Sequence, residues 1–342
     1  MNIVTFGSLK PGSTVAHRAL SLQRLGHNVS SLNCDDFIGH HGRFGSWLHY
    51  RTGYRLLQQR LLKRLHNYFT SRVQDTDILW IDSGQYLGPS VLTYLRSLLN
   101  CPIILYCNDD PTGPRDWLRF ASLRMSIPYY DLCVCRRETN HLEWLALGAR
   151  KVLRVWMSYD EDIHLLQDSF VTPTAELLFI GTNITTEKRG SFLTALIRAH
   201  IPLAIYGNRW HRSRYWSTLR PFVFGSSLAD RSYSSRISQS LLSLGMLSSH
   251  NRDLHTRRSV EVPASGGTLL AERTSEHKLL YEENYEALLW SGLDECINVC
   301  KYYLSHPLEL ESIRASGYRK VTSLGVGNDD ICRQVLSSIH SI

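Results

Sequence analysis

The sequence has no apolar run near the ~20 residues that a membrane-spanning helix needs; its best candidates are short segments such as Ser240 to Leu247. The opening residues Met1-Asn2-Ile3-Val4-Thr5-Phe6 run into a Gly/Ser turn without the charged start and apolar stretch of a signal peptide. A cytoplasmic location is expected, with attachment at the inner face of the membrane left open. Proline is scarce, 11 in 342 residues, which argues against long linkers or disorder. Eight cysteines without an export signal read as reduced thiols, and neither Cys133-x-Cys135 nor the Cys296 and Cys300 pair has a partner at zinc-finger spacing. RNP-type aromatics and a basic-region zipper are missing too, so nucleic acid is not the expected partner of the net charge of +7. A nucleotide diphosphate or a phospholipid surface is left to answer that charge. The loop Gly7 to His17 lacks Gly-x-Gly-x-x-Gly, and Lys10-Pro11 stands where a dinucleotide pyrophosphate would pack, which sets a nicotinamide cofactor aside. In that loop His17 reads as a lone exposed histidine, with an acceptor contact as the alternative.

What is present is a strand and helix alternation that occurs twice, in a chain about right for two domains. The first half offers strands at Ile3–Phe6, Asn28–Leu32, Asp77–Ile81, Pro102–Cys107, Asp131–Cys135 and Val152–Val155. The second offers Leu177–Ile180, Leu203–Tyr206, Phe222–Phe224, Ser240–Leu247, Thr268–Ala271 and Ala287–Trp290. Short apolar runs between helical-period segments are the pattern of parallel sheets covered on both faces. The expected fold is therefore α/β, with two doubly wound Rossmann-like domains facing a cleft. The predicted boundaries are 1–158, an interdomain linker 159–173, a second domain 174–325, and a terminal helix 326–342 packing back on the first domain. The segment Arg55 to Arg72 reads as an amphipathic helix, with Leu57, Leu61, Leu65 and Phe69 inward and a basic outer face that a membrane surface or an acceptor could meet.

Ligands of open parallel sheets sit beyond the carboxyl ends of the strands, so the residues just after each strand carry the chemistry. The richest segment runs from Asn251 to Thr274. A short helix from about Thr256, with Thr256 as its cap, would point its first amides at a diphosphate. Gly266-Gly267 would let backbone approach a flat ligand before the next strand. Lys188 and Arg189, after the strand ending at Ile180, add the positive charge that a leaving diphosphate requires. No Asp-x-Asp lies in this donor segment, so no metal is expected. Asp109 and Asp110 follow a buried strand of the first half, and three roles stay open for them: a turn, an acceptor contact, or the general base of an inverting reaction.

Arg258-Ser-Val-Glu261-Val-Pro-Ala-Ser-Gly266-Gly267-Thr-Leu-Leu-Ala-Glu272 resembles the C-terminal signature of CgeB-like glycosyltransferases, a GT-B group, with Val260 and Ser265 as departures. Phe179-Ile180-Gly181 with Glu187-Lys188-Arg189, Asn108-Asp109-Asp110-Pro111, Leu280-Tyr281-Glu282 and Tyr302 to Pro307 match in place and type. The resemblance implies a glycosyltransferase of the hexosyl class, metal-independent, which moves a sugar from a UDP-, GDP- or dTDP-linked donor to a hydroxyl-bearing glycan, lipid-linked or small-molecule acceptor. It implies that Glu261 accepts from the ribose hydroxyls and that Asp253, separated from it by seven residues, lies near the donor sugar. With Asp in place of Glu there, retaining and inverting outcomes both stay open. Catalytic roles fall to Asp253, Arg189, Lys188 and Asp109, and donor binding to Glu261, Arg258, Thr256, Gly181, Gly266, Gly267 and Glu272. A GT-B nucleotide-sugar epimerase and a non-catalytic nucleotide-sugar or glycan binder are the alternatives.

Overall fold

The computed structural model describes residues 1–10, 12–39, 41–72, 76–164 and 174–339. They form two compact units, Met1–Trp156 with the terminal helix Asn328–Ile339, and Met157–Gly327. Of the expected linker, residues 165–173 lie outside the described residues, as does Pro11.

The first unit holds β1 (Asn2–Gly7), β2 (Asn28–Asn33), β3 (Ile78–Asp82), β4 (Ile103–Tyr106), β5 (Leu132–Cys135) and β6 (Val152–Arg154), in the order β2-β1-β3-β4-β5-β6. Every pairing is parallel. Alternate side chains of a strand face opposite layers, and β3 makes the consequence plain. Leu79 and Ile81 pack with Leu61, Leu65 and Phe69 of the helix Gln58–Arg72, whereas Ile78 and Trp80 pack with Ile331, Val335 and Leu336 of the terminal helix. That terminal helix is also held by the ion pair of Arg24 with Asp329 at 2.8 Å and by Lys151 donating to the Ser338 carbonyl at 2.7 Å.

The second unit holds β7 (Thr174–Ile180), β8 (Leu203–Tyr206), β9 (Val223–Gly225), β10 (Ser240–Gly245), β11 (Thr268–Glu272) and β12 (Leu288–Trp290), again all parallel, in the order β12-β11-β10-β7-β8-β9. Counted from β7, this is the doubly wound dinucleotide-binding order, and its topological switch point falls between β7 and β10. The core joins Leu177, Phe179, Leu242, Leu244, Leu270 and Leu288 of the strands to Leu193, Leu196, Cys296 and Cys300 of the covering helices. All eight cysteines are buried and unpaired, so both cysteine pairs are packing. Among the described residues no helix is long and apolar enough to cross a membrane.

Candidate functional site

At the switch point of the second unit, three strand ends are tied together. Gly181 follows β7, and its carbonyl accepts from Trp210 Nε1 at 2.9 Å. Gly207, at φ 146°, passes so close that a Cβ there would stand 2.1 Å from the Gly181 oxygen, so only glycine fits. Beyond Gly181, Glu187 accepts from Ser248 Oγ at 2.5 Å and lies 2.6 Å from Arg189 Nε. Arg189 also donates to the Thr182 carbonyl at 3.1 Å. At the end of β11, Glu272 accepts from the Leu247 amide at 2.8 Å; burial pushes its carboxyl up, against the pull of that amide and of Arg189. The loops after β7, β10 and β11 are thus one polar network that contains the predicted residues Gly181, Arg189 and Glu272.

Lys188 points elsewhere. It is exposed and lines a cavity of about 320 Å³ at the start of the helix Arg189–Arg198, with Asn183, Ser191, Arg212, Arg214 and Tyr215 around it. Arg189 is turned inward to Glu187. Two neighbours in sequence therefore divide into one oriented and one open cation.

The helix Arg258–Ala264 carries the acidic centre. Glu261 is buried; Arg257 places both Nε and Nη2 2.6 Å from its Oε1, and Tyr233 donates to Oε2 at 3.0 Å. His164 Nε2 stands 3.7 Å from Oε1. Burial raises this carboxyl, but Arg257, His164 and Arg258 outweigh it and hold the group at about 2. Glu261 is therefore an anion at every physiological pH. Arg258 makes no hydrogen bond or ion pair with any described residue, although its Nε is enclosed. It lines a small cavity with Ile180, Tyr233, Leu244 and Val262, which places it over the carboxyl ends of β7 and β10.

A histidine pair braces the approach to this helix. His255 accepts from the Met157 amide at Nε2, 3.0 Å, and meets Glu276 through Nδ1 at 2.5 Å. His277 Nδ1 donates to the Glu272 carbonyl at 2.6 Å, so its Nε2 accepts from Ser259 Oγ at 2.7 Å. Burial, with His255 adding to it, pushes His277 down to about 4. This serine and histidine are structural, because the imidazole is spent on a carbonyl.

Several expectations need correction. Thr256 does not cap the helix: its amide donates to Ser259 Oγ at 3.0 Å, and the residue before the helix, Arg257, supplies no side-chain cap. Gly266 and Gly267 end the helix, their amides donating to Pro263 and Val262, at the amino end of β11 and so at the far edge from the switch point. A Cβ on Gly267 would meet Ile237 at 2.5 Å, so the glycines serve packing of helix on strand. Asp253 is half-buried and accepts from Asn251 Nδ2 at 3.1 Å. His17 is buried rather than exposed. Asp-x-Asp spacing occurs outside the donor segment. Asp160 of Asp160-Glu-Asp162 accepts from the Asp162 amide, and Asp77 accepts from the Asn2 amide while Asp75 lies outside the described residues.

In the first unit, Asp109 is half-buried after β4, its carbonyl accepting from Arg137 Nη1 at 2.8 Å. Asp110 is buried and accepts from Asn140 Nδ2 at 2.8 Å. Sequence reasoning missed the buried pair Arg18 and Asp82, with Arg18 stacked 4.0 Å over the Tyr106 ring. It also missed Tyr233 and His164, which no spacing links to Glu261.

Residues 188–324 match a family model described as glycosyl transferase-like. No curated protein matches the chain. Among solved structures, sucrose-phosphate synthase from Thermosynechococcus elongatus is similar over 100% of this chain and 99% of its own, at 12% identity and a TM-score of 0.70. HepE of Anabaena in complex with UDP-glucose covers 100% of both chains at 13% identity and 0.70, and OtsA covers 100% of both at 14% and 0.66. The fold is that of the GT-B glycosyltransferases. The matched family segment lies wholly within the unit that holds β7 to β12. The segment Arg258 to Glu272 falls inside that match.

Proposed function

We propose that the chain is a glycosyltransferase that takes a sugar from a nucleotide-sugar donor bound at the β7 and β10 switch point and passes it to a hydroxyl-bearing acceptor. The observation that carries this reading is Arg258, an arginine in the field of the anionic Glu261 whose guanidinium makes no hydrogen bond or close ion pair with a described residue. A half-buried arginine with open donors favours an anionic ligand, and a diphosphate is an anion that arginine grips well. Glu261 keeps one acceptor site on Oε2 beyond those used by Arg257 and Tyr233, which suits a ribose hydroxyl. Arg189, aimed by Glu187 and Thr182, is assigned to the charge that grows on the leaving diphosphate, with Lys188 supporting it from the cavity side. Asp253 is assigned to the donor sugar and Asp109 to the acceptor side.

Because HepE was solved with UDP-glucose, a uridine donor is the first to try. A thermal-shift screen of UDP, GDP, dTDP, ADP and CMP should single out one nucleotide, since selective binding stabilises by mass action. Stabilisation by none of them, at millimolar concentration, would remove the reading. Release of that nucleotide from its sugar conjugate only when an acceptor is added separates transfer from epimerisation and from mere binding.

A further inference from the structure

One helix of the first unit buries nothing. Gly42–Arg51 has no buried residue, and its Phe44 and Trp47 are 75% and 53% exposed. Ten residues without a buried face are too few for a helix to hold in water on its own. Helical spacing sets Phe44, Trp47 and Arg51 on one side; the two rings stack at 6.0 Å, and Arg51 lies 5.7 Å over Trp47. The face continues beyond the helix. Tyr50 donates to Asp116 at 2.5 Å, and the turn at Gly53, φ 57°, packs on Leu118 and Ala121. Trp117, Leu118 and Met125 are exposed there, with Arg124 stacked 3.5 Å over Trp117.

Charge is concentrated in the same stretch. Phe37 to Gln74 contains Arg43, Arg51, Arg55, Arg60, Lys63, Arg64 and Arg72 and no aspartate or glutamate, so its net charge equals the +7 of the whole chain. The neighbouring acid, Asp116, already lies 3.1 Å from Arg115. Burial and the nearby Arg55 push Arg124 down, and burial with His41 and Arg60 does the same to His49. The cations repel one another across a surface of exposed aromatic rings.

We propose that this face docks on an anionic phospholipid bilayer, with Phe44, Trp47 and Trp117 at the headgroup level and Arg43, Arg51 and Arg55 on the phosphates. Aromatic rings and arginines on one helix face suit an interface that is apolar below and negatively charged above. A protein partner would have to supply a comparable sheet of acids, whereas an anionic leaflet presents one everywhere. The inference does not depend on the transferase assignment.

The test is co-sedimentation of the full chain with vesicles of phosphatidylglycerol and phosphatidylcholine in equal parts, against phosphatidylcholine alone, at low and high salt. Binding to the anionic vesicles should be at least ~10-fold tighter and should weaken with salt. The double change Phe44→Ser with Trp47→Ser, and the triple change Arg43→Gln, Arg51→Gln and Arg55→Gln, should each lose about 10-fold or more while melting like the wild type. If a variant does not fold, the vesicle and salt dependence of the wild type still decides. Absence of binding to anionic vesicles, or binding that the folded variants retain, would overturn the proposal. So would self-association without lipid that the Phe44→Ser and Trp47→Ser change abolishes, since a second copy would then cover the face.

Discussion

Arg257 lies with two nitrogens 2.6 Å from one oxygen of Glu261, whereas Arg258, the next residue, acts on that carboxylate only through its field and makes no hydrogen bond with a described residue. The two arginines thus have different consequences when removed, and the difference separates folding from ligand binding.

Glu261 is part of the fold as well as of the proposed donor site, so its replacement does not leave the fold untouched. Glu261→Gln should cost about 2–4 kcal/mol at neutral pH, below the full cost of breaking a buried pair, because Arg257 is 34% exposed and water screens it. The sign follows from its depressed carboxyl, at about 2 against an ordinary 4.5. That stabilisation is complete above pH 4.5 and is lost as the pH falls toward 2. Thermal melts of wild type and variant should therefore converge over that window. A constant gap down to pH 2 would mean that the charge of Glu261 contributes nothing.

His277 should give a second acid-sensitive step at higher pH. Its imidazole is held neutral, at about 4 against an ordinary 6.5, so protonation favours the unfolded chain. Its contribution is complete above pH 6.5 and declines as the pH falls toward 4. In a His277→Gln variant the loss of stability between pH 6.5 and 4 should be smaller by a few kcal/mol. An unchanged slope would place the acid sensitivity elsewhere.

Lys188 and Arg189 should separate kinetically. Lys188→Ala removes an exposed charge and should leave melting unchanged, with a loss in kcat greater than any rise in KM if the charge acts on the leaving group. Arg189→Ala also strips Glu187 of its ion pair and should lower both rate and melting temperature. A rise in KM alone for Lys188→Ala would make it a binding contact only.

Transfer should persist in excess EDTA with at most a several-fold loss. The acids of the donor region are already engaged: Glu187 with Arg189 and Ser248, Glu261 with Arg257 and Tyr233, and Glu272 with the Leu247 amide. Arrest by EDTA, reversed by magnesium or manganese, would refute both the charge assignment and this use of the carboxylates.

The strands were legible because parallel strands buried on both faces are unbroken apolar runs, as Ile103–Tyr106 and Leu132–Cys135 are in both sequence and structure. The segment Arg258 to Glu272 was legible through its motif. What the motif could not convey is which partners the fold brings in. Tyr233 reaches Glu261 from a helix two elements earlier, and His164 comes from beyond β6. Gly266 and Gly267 carry a turn signature that any strand approach shares, so only the location at the amino end of β11 separates packing from ligand contact.

The central claim is that Arg258 waits for a phosphate, and nucleotide affinity of Arg258→Ala tests it most directly. Arg258 makes no hydrogen bond with a described residue, and Arg257 and His164 still hold Glu261 ionised without it, so the variant should stay folded with a small loss in melting temperature. Its affinity for the nucleotide selected by the screen, measured by calorimetry, should fall roughly 10- to 150-fold, the worth of about 1.5–3 kcal/mol for a hydrogen bond to a charged group. A folded Arg258→Ala protein that binds the nucleotide as tightly as the wild type would contradict the account.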